Sequence, residues 1–394
     1  MTVALGIILA ILVFGAIVFF HELGHFSFAK LFGVKVDEFG LGIPPKMMKL
    51  FKDKSGTVYT LNWLPIGGFV KLKGEEYSED ARNGNDSLIS KSIFKQMIIV
   101  LAGVMMNFLL ASMIFSTLFY IGTEPLAINT KFQTTTKTKF IPDIETAIKS
   151  GILNIDGISL DPIKGSIAEK SGLKSGDILL QINDKKIQTP EEMVNLVKYS
   201  PGSLIFKIKR NNNELTFNIT PVGGKVGSYV GYNIKNLNKD FKYKYSLKES
   251  IREGFIETYN ESKLTVELLG NLFIKIVKPN NVYERQEAVN SLGGPIAVGN
   301  LFVTLVDEKV KFSVILLIAA VLSINLGVFN LLPFPALDGG RFFVMLINSV
   351  VIFFFGKKAI DDRIEQLIHV MGFSILILLS IFIAYQDFFK IFTK

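Results

Sequence analysis

The sequence predicts an α-helical polytopic membrane protein with four transmembrane helices, a stretch of β-strand pattern after the first of them, and an inserted α+β domain. Two observations carry this reading. Hydrophobic residues make up 49% of the 394-residue chain and charged residues 20%, an apolar excess over ordinary globular domains. The excess is concentrated in four uncharged runs, 1–20, 96–123, 312–337 and 367–386, each long enough at about 20 residues to cross ~30 Å of hydrocarbon as a helix. The chain has no cysteine, so disulfides and thiolate metal sites are excluded. Its net charge of +8 is scattered among acids and amides, which argues against a nucleic-acid surface.

Taken in order, the first run opens segment 1–32. A cleaved signal peptide is the rival reading, but the run lacks a basic start and a small-residue cleavage pattern, so an uncleaved helix is expected. Segment 33–95 is rich in lysine and arginine, and Lys357, Lys358 and Arg363 follow the third run. Basic excess marks cytoplasmic loops, which places both stretches inside and the termini and 124–311 outside; Lys390 and Lys394 argue weakly the other way. The second helix is 96–123. The third element is 312–356, whose uncharged run 342–356 is only 15 residues long and reads as a continuation or an interfacial helix rather than a fifth crossing. The fourth helix and tail are 357–394.

Between the second and third runs lies the inserted domain, expected over 124–224. Leu204, Phe206 and Ile208 alternate with Ile205, Lys207 and Lys209, and after Asn211-Asn212-Asn213 the alternation resumes with Leu215, Phe217 and Ile219, a β-hairpin pattern. In TPEEMVNLV, Thr189 is the expected N-cap, Pro190 the first helical residue and Glu192 the partner in a capping box. Upstream, Gly172 ends a short helix and Gly176 makes a turn into a strand. The order from Ala168 to Asn183 resembles the core of a PDZ domain. Beyond it, 225–311 reads as an amphipathic helical connector, with a stripe at Leu247, Ile251, Phe255 and Ile256 suited to a membrane surface or another helix.

The chemistry concentrates in two places. His21-Glu22-Leu23-Gly24-His25 is H-E-x-x-H, and residues four apart share a helix face. Both imidazoles can therefore bind one Zn²⁺, with Glu22 beside them as the base. Because the chain has only three histidines, chance is a poor explanation for this spacing. Ionisable groups at membrane depth are costly and mark function. A catalytic zinc site wants a third protein ligand, and Asp338 in NLLPFPALDGG is the candidate. Pro333 and Pro335 interrupt a helix, and Gly339-Gly340 loosens the chain after the acid. Both segments are expected to arrive near the cytoplasmic end of the hydrocarbon. Glu38 lies in a strand pattern, and His369 reads as a packing residue in the fourth run.

H-E-x-x-H in the first run, GVMMN (residues 103–107) in the second, the PDZ-like insert and N-x-x-P-x-P-x-L-D-G from Asn330 to Gly339 together resemble the site-2 protease family of intramembrane zinc metalloproteases, in particular its bacterial regulator of sigma-E protease branch. The resemblance implies zinc held by His21, His25 and Asp338, Glu22 as base, and Asn330, flanked by Pro333 and Pro335, holding substrate. Asn107 would bond between helices at Gly103 or contact substrate. The resemblance also implies a membrane-associated β-sheet in 33–95 whose edge, at the pattern of Tyr59 and Leu61, could pair with an extended substrate. It implies single-span membrane proteins as substrates in a bacterial inner membrane, a lipid environment, and a PDZ-like domain that binds a peptide C-terminus or filters by size. Arg341 stands where relatives often carry histidine, and one PDZ-like unit is visible where some relatives carry two. A non-catalytic PDZ-bearing scaffold with a structural metal is the main alternative, and a transporter is a weaker one because no inverted repeat is visible.

Overall fold

The computed structural model describes residues 2–75, 84–129, 134–356 and 359–392. In chain order the elements are α1 (Thr2–Leu31), β1 (Val36–Lys52), β2 (Val58–Leu72), α2 (Ile93–Ile121), α3 (Ile144–Lys149), β3 (Leu153–Pro162), α4 (Ile167–Lys170), β4 (Asp177–Ile182), β5 (Lys185–Lys186), α5 (Pro190–Tyr199), β6 (Leu204–Arg210), β7 (Asn213–Ile219) and β8 (Ser228–Leu237). Then follow α6 (Leu247–Val277), α7 (Val282–Ser291), α8 (Pro295–Asp307), α9 (Phe312–Leu331), α10 (Asp338–Phe355) and α11 (Asp362–Phe392). They form two compact units. One holds α1, β1, β2, α2, the segment 134–139 and α6 to α11; the other holds α3 to α5 and β3 to β8.

Among the described residues, five helices of the first unit are long and apolar enough to cross a membrane: α1, α2, α9, α10 and α11. The additional one beyond the four expected is α10. Its helix starts at Asp338, so the polar turn Asp338–Arg341 joins the uncharged run and brings the element to 18 residues. Helices in lipid associate through small residues and close packing, and α1 and α2 do so here. A Cβ placed on Gly24 would lie 2.3 Å from the Ala102 carbonyl oxygen, so only glycine permits this approach.

Strands β1 and β2 each fold back on themselves. Residues 38–41 pair on one side with 58–61 and on the other with 68–71, while 46–52 pair with the outer side of 58–62. The result is a four-segment sheet ordered 46–52, 58–62, 36–43, 68–72, in which the two central segments run in the same direction. Tyr59 and Leu61 are thus already paired on both sides, which overturns the expectation that 58–63 is a free edge. Among the described residues the edges are 46–52 and 68–72. Phe39, Val70 and Leu72 pack with Ala29 of α1 and Ile99 of α2, and Lys30 donates to Thr57 Oγ1 at 2.6 Å, which ties the sheet to the end of α1.

The second unit is one antiparallel sheet in the order β7-β6-β4-β3-β8, with β5 beside β4. Leu204, Phe206 and Ile208 face a core shared with Ile158, Leu160, Leu179, Ile182 and Ile219. On β7 only Ile219 is fully buried; Phe217 packs against the core from the next inward position, and Leu215, expected inward, is exposed. Thr189 accepts from the Glu192 amide, but the Glu192 carboxylate receives Gln188 N–H rather than that of the cap residue. The expected boundary at 224 falls inside this unit, since β8 pairs with β3 across 153–162.

Helix α6 inverts the usual arrangement. Leu247, Ile251, Phe255 and Ile256 are exposed, and the buried face carries Glu253, Glu257 and Glu261 with Gly254 and Thr258. The apolar stripe therefore does not pack on another helix. Ser112 of α2 donates to Thr258 at 2.9 Å, and Lys139 bonds Glu253 at 2.8 Å while its amide donates to Glu257 at 2.5 Å. Burial and the neighbouring Glu257 carboxylate push the Glu261 carboxyl up to about 8 from its ordinary 4.5. The folded protein then binds a proton that the unfolded chain releases, so this group costs stability progressively as pH rises from about 4.5 to about 8. Glu261→Gln should flatten that slope and stabilise the protein above pH 8 by a few kcal/mol, on the order implied by ~1.4 kcal/mol per pKa unit. Thermal unfolding in detergent at pH 5 and pH 8.5 measures it; parallel pH curves for variant and parent would contradict the assignment.

Candidate metal centre

Helix α1 places His21 and His25 one turn apart, with ring centroids separated by 4.8 Å. Asp338 is the first residue of α10, where backbone N–H groups favour a carboxylate. Three hundred residues of chain separate these segments, yet their ligand atoms converge. His21 Nε2 lies 3.1 Å and His25 Nε2 3.4 Å from Asp338 Oδ2, and the two Nε2 atoms are 3.2 Å apart. A tetrahedral zinc site with bonds of about 2.0–2.1 Å has ligand atoms about 3.3–3.4 Å from one another. The triangle matches.

The surroundings fit a cation as well. Asp338 Oδ2 is buried with no hydrogen-bond donor, a costly state for a carboxylate oxygen unless something positive sits against it. His25 Nδ1 donates to the Ile99 carbonyl at 2.9 Å, which leaves the Nε2 lone pair free. Among the described residues this is the one group of histidines and acids close enough to hold a metal.

The loop that delivers Asp338 is built from its prolines and glycines. Phe334 N–H donates to Leu332 at 2.7 Å and Leu337 N–H to Phe334 at 3.2 Å. Ala336 has φ of +79°, a left-handed conformation unusual outside glycine, and its N–H is held by His369 Nδ1 at 3.0 Å. His369 is therefore more than a packing residue: it braces the loop two residues before the acid. Gly339 and Gly340 are buried, and a Cβ on them would lie 2.3 Å from Leu332 O and 2.2 Å from Phe334 O. Expected to loosen the chain, they instead let α10 stack directly on its own connecting loop.

Glu22 lies between His21 and His25 on one side of α1 and Phe26 on the other, by the 100° advance per residue. The second strand edge comes close to it: a Cβ on Gly68 would be 3.6 Å from Glu22 Cγ. One turn beyond Asp338, Arg341 lines a mixed cavity of about 330 Å³ with Glu75, Glu365 and His369 on its polar side and Leu88, Ile93 and Met345 on its apolar side. Arg341 there pairs with Glu75 at 2.5 Å, joining the first turn of α10 to the end of β2.

The other expected residues are more dispersed. Asn330 is half-buried near the end of α9, Pro333 is exposed, and Pro335 packs where Gly372 of α11 leaves room. Tyr59 is stacked on Phe51 at 4.3 Å and lines an apolar cavity of about 200 Å³ with Phe19, Leu23 and Phe26. Leu61 is half-buried within the sheet. Asn107 is fully buried, with its amide 3.2 Å from His21 Nδ1. Sequence reasoning missed the Arg341–Glu75 pair and the His369 brace, neither of which leaves a local pattern.

A His-His-Asp set on apolar helices, His21 buried and the other two partly so, with a glutamate next to the first histidine, is a candidate centre for a membrane metalloprotease. The family model of peptidase family M50 matches residues 9–379. Over 387 residues the chain is 33% identical to a Clostridium perfringens protein that carries the name of a zinc metalloprotease, covering 97% of this chain and 98% of the relative. It is 29% identical to zinc metalloprotease RasP of Geobacillus kaustophilus, covering 98% of each. With Eep of Enterococcus faecalis, named as a protease, it shares 28% identity over 98% of this chain and 99% of that one. The chain belongs to peptidase family M50, the site-2 proteases, and to the branch that holds RasP and Eep.

Proposed function

We propose that this zinc metalloprotease hydrolyses peptide bonds within or beside the transmembrane segments of single-span proteins, membrane-bound regulators or remnant signal peptides, in a bacterial inner membrane. The observation that carries the reading is the convergence of His21, His25 and Asp338 to within 3.4 Å on helices apolar enough to cross a bilayer. Zinc held there supplies Lewis acidity and brings the pKa of a water to about 7. Glu22 takes the proton from the attacking water and returns it to the amine nitrogen of the broken bond. The cavity beside Arg341 and His369, whose wall carries Glu75 and Glu365, offers water a way into a region that the apolar spans otherwise dry out.

A transmembrane helix hides its carbonyls in internal hydrogen bonds, so the substrate must be held extended. The sheet edge 68–72 is suited to this, since among the described residues it pairs only with 36–41 and passes beside Glu22. Tyr59 and Leu61 contribute side chains, not an edge, and Asn330 bonds freed backbone groups with Pro333 and Pro335 shaping its loop. In the second unit β8 is likewise an edge strand, open to a peptide C-terminus by strand addition; the same domain serves equally as a size filter.

Reconstitution in vesicles with a single-span substrate tests the whole reading. Cleavage should fall within or next to the span, stop on zinc removal by a chelator and return on adding Zn²⁺. Proline placed at successive substrate positions near the cut should inhibit with a period of two, because an edge strand bonds alternate residues. Chelator-resistant cleavage would reject the zinc mechanism, and inhibition without alternation would reject edge pairing.

A further inference from the structure

The motif GVMMN remains outside the scheme above, and its two ends lie directly on the metal centre. A Cβ on Gly103 would sit 2.4 Å from His25 Nε2 and 2.8 Å from His21 Cε1. Gly103 is thus the clearance in which both imidazoles fit. One turn later Asn107 meets His21 Nδ1 at 3.2 Å.

We infer that Asn107 is a positioning residue for zinc: its side-chain oxygen accepts the Nδ1–H of His21 and so fixes the tautomer that leaves Nε2 free for the metal. The inference rests on the zinc reading of His21, His25 and Asp338. Three observations support it. Asn107 is fully buried, so no water competes for His21 Nδ1 on that side. The two ends of an amide are interchangeable in such a structure, and with the nitrogen toward His21 the oxygen Oδ1 is a buried acceptor without a donor. Turning the amide over puts that oxygen on His21 Nδ1 and gives His21 the same arrangement His25 already has, an Nδ1–H bound to a fixed oxygen, there the Ile99 carbonyl at 2.9 Å. The turned amide also satisfies the metal. A neutral imidazole that accepts at Nδ1 carries its proton on Nε2 and cannot ligate. Ser323 holds the backbone of this residue, donating to the Asn107 carbonyl at 2.9 Å, so the side chain starts from an anchored turn of α2.

The test uses the purified full-length chain, Zn²⁺ alone as probe and a competing chelator to measure affinity. Asn107→Leu keeps the volume and removes the acceptor; its zinc affinity should fall about 10- to 100-fold, the usual cost of losing such an outer partner. Asn107→Asp keeps an acceptor oxygen and should stay within about threefold of the parent. With three histidines in the chain, ¹⁵N imidazole spectra resolve His21, which should be protonated at Nδ1 in the parent and in Asn107→Asp and mixed in Asn107→Leu. Parental affinity in Asn107→Leu would overturn the inference. So would an equal loss in both variants, which is the signature of packing; the Asp arm decides even where the Leu variant does not fold. A parent whose zinc affinity is unchanged by Asp338→Ala would instead sink the underlying zinc reading.

Discussion

Glu22→Gln should bind zinc as tightly as the parent and cleave a single-span substrate about 10²- to 10⁴-fold more slowly, the range that a positioned general base contributes. The two properties separate because Glu22 is not one of the three converging ligand atoms. Its side chain lies beside the strand edge, with Cγ 3.6 Å from a Cβ placed on Gly68, the side on which an extended substrate would lie. Glutamine has the same shape and hydrogen-bonds, yet cannot accept and return a proton at neutral pH. Zinc content by mass spectrometry and single-turnover cleavage in vesicles measure the pair. Retained zinc with undiminished cleavage would reject Glu22 as the base and assign the proton transfer to another group.

How much of this was legible beforehand follows from the range of each interaction. His21 and His25 sit four residues apart on one helix, so local geometry brings their rings together and the spacing is readable. Asp338 could be singled out because charge next to an apolar run is expensive, and its meeting with the histidines followed from counting helical rise. Strand register was not readable. The alternation at 58–63 announces a strand but is silent on how many neighbours it has, and the fold-back of β1 buries that strand between two others. The buried glutamates of α6 were hidden for a related reason. An apolar stripe on a helix normally marks the packed face, but beside a membrane the apolar face can meet lipid, and the protein-facing side carries Glu253, Glu257 and Glu261 with their Lys139 counterion. Contacts such as Arg341 with Glu75 join residues far apart in the chain, and nothing in either neighbourhood names the partner.

Asp338→Ala should abolish zinc binding under conditions that saturate the parent, a loss well beyond the roughly 100-fold that an outer partner costs. Two histidines alone remain, and the one anionic ligand is gone. The variant should still fold, because the loop that carries the residue is fixed by other groups. Ala336 N–H is held by His369, Leu337 N–H by Phe334, and Gly339 and Gly340 lie flat on residues 331–335. None of these contacts involves the carboxylate. Asp338→Asn sharpens the result: it preserves shape and helix start, so loss of zinc there assigns the effect to charge and lone pairs rather than to packing. The measurement is zinc stoichiometry together with thermal unfolding of the metal-free proteins. Parental zinc content in both variants, with unfolding unchanged, would mean that the kinked segment between α9 and α10 delivers no ligand. The cation would then depend on α1 alone, and the broken element would lose its reason to carry an acid beside two imidazoles in an apolar setting.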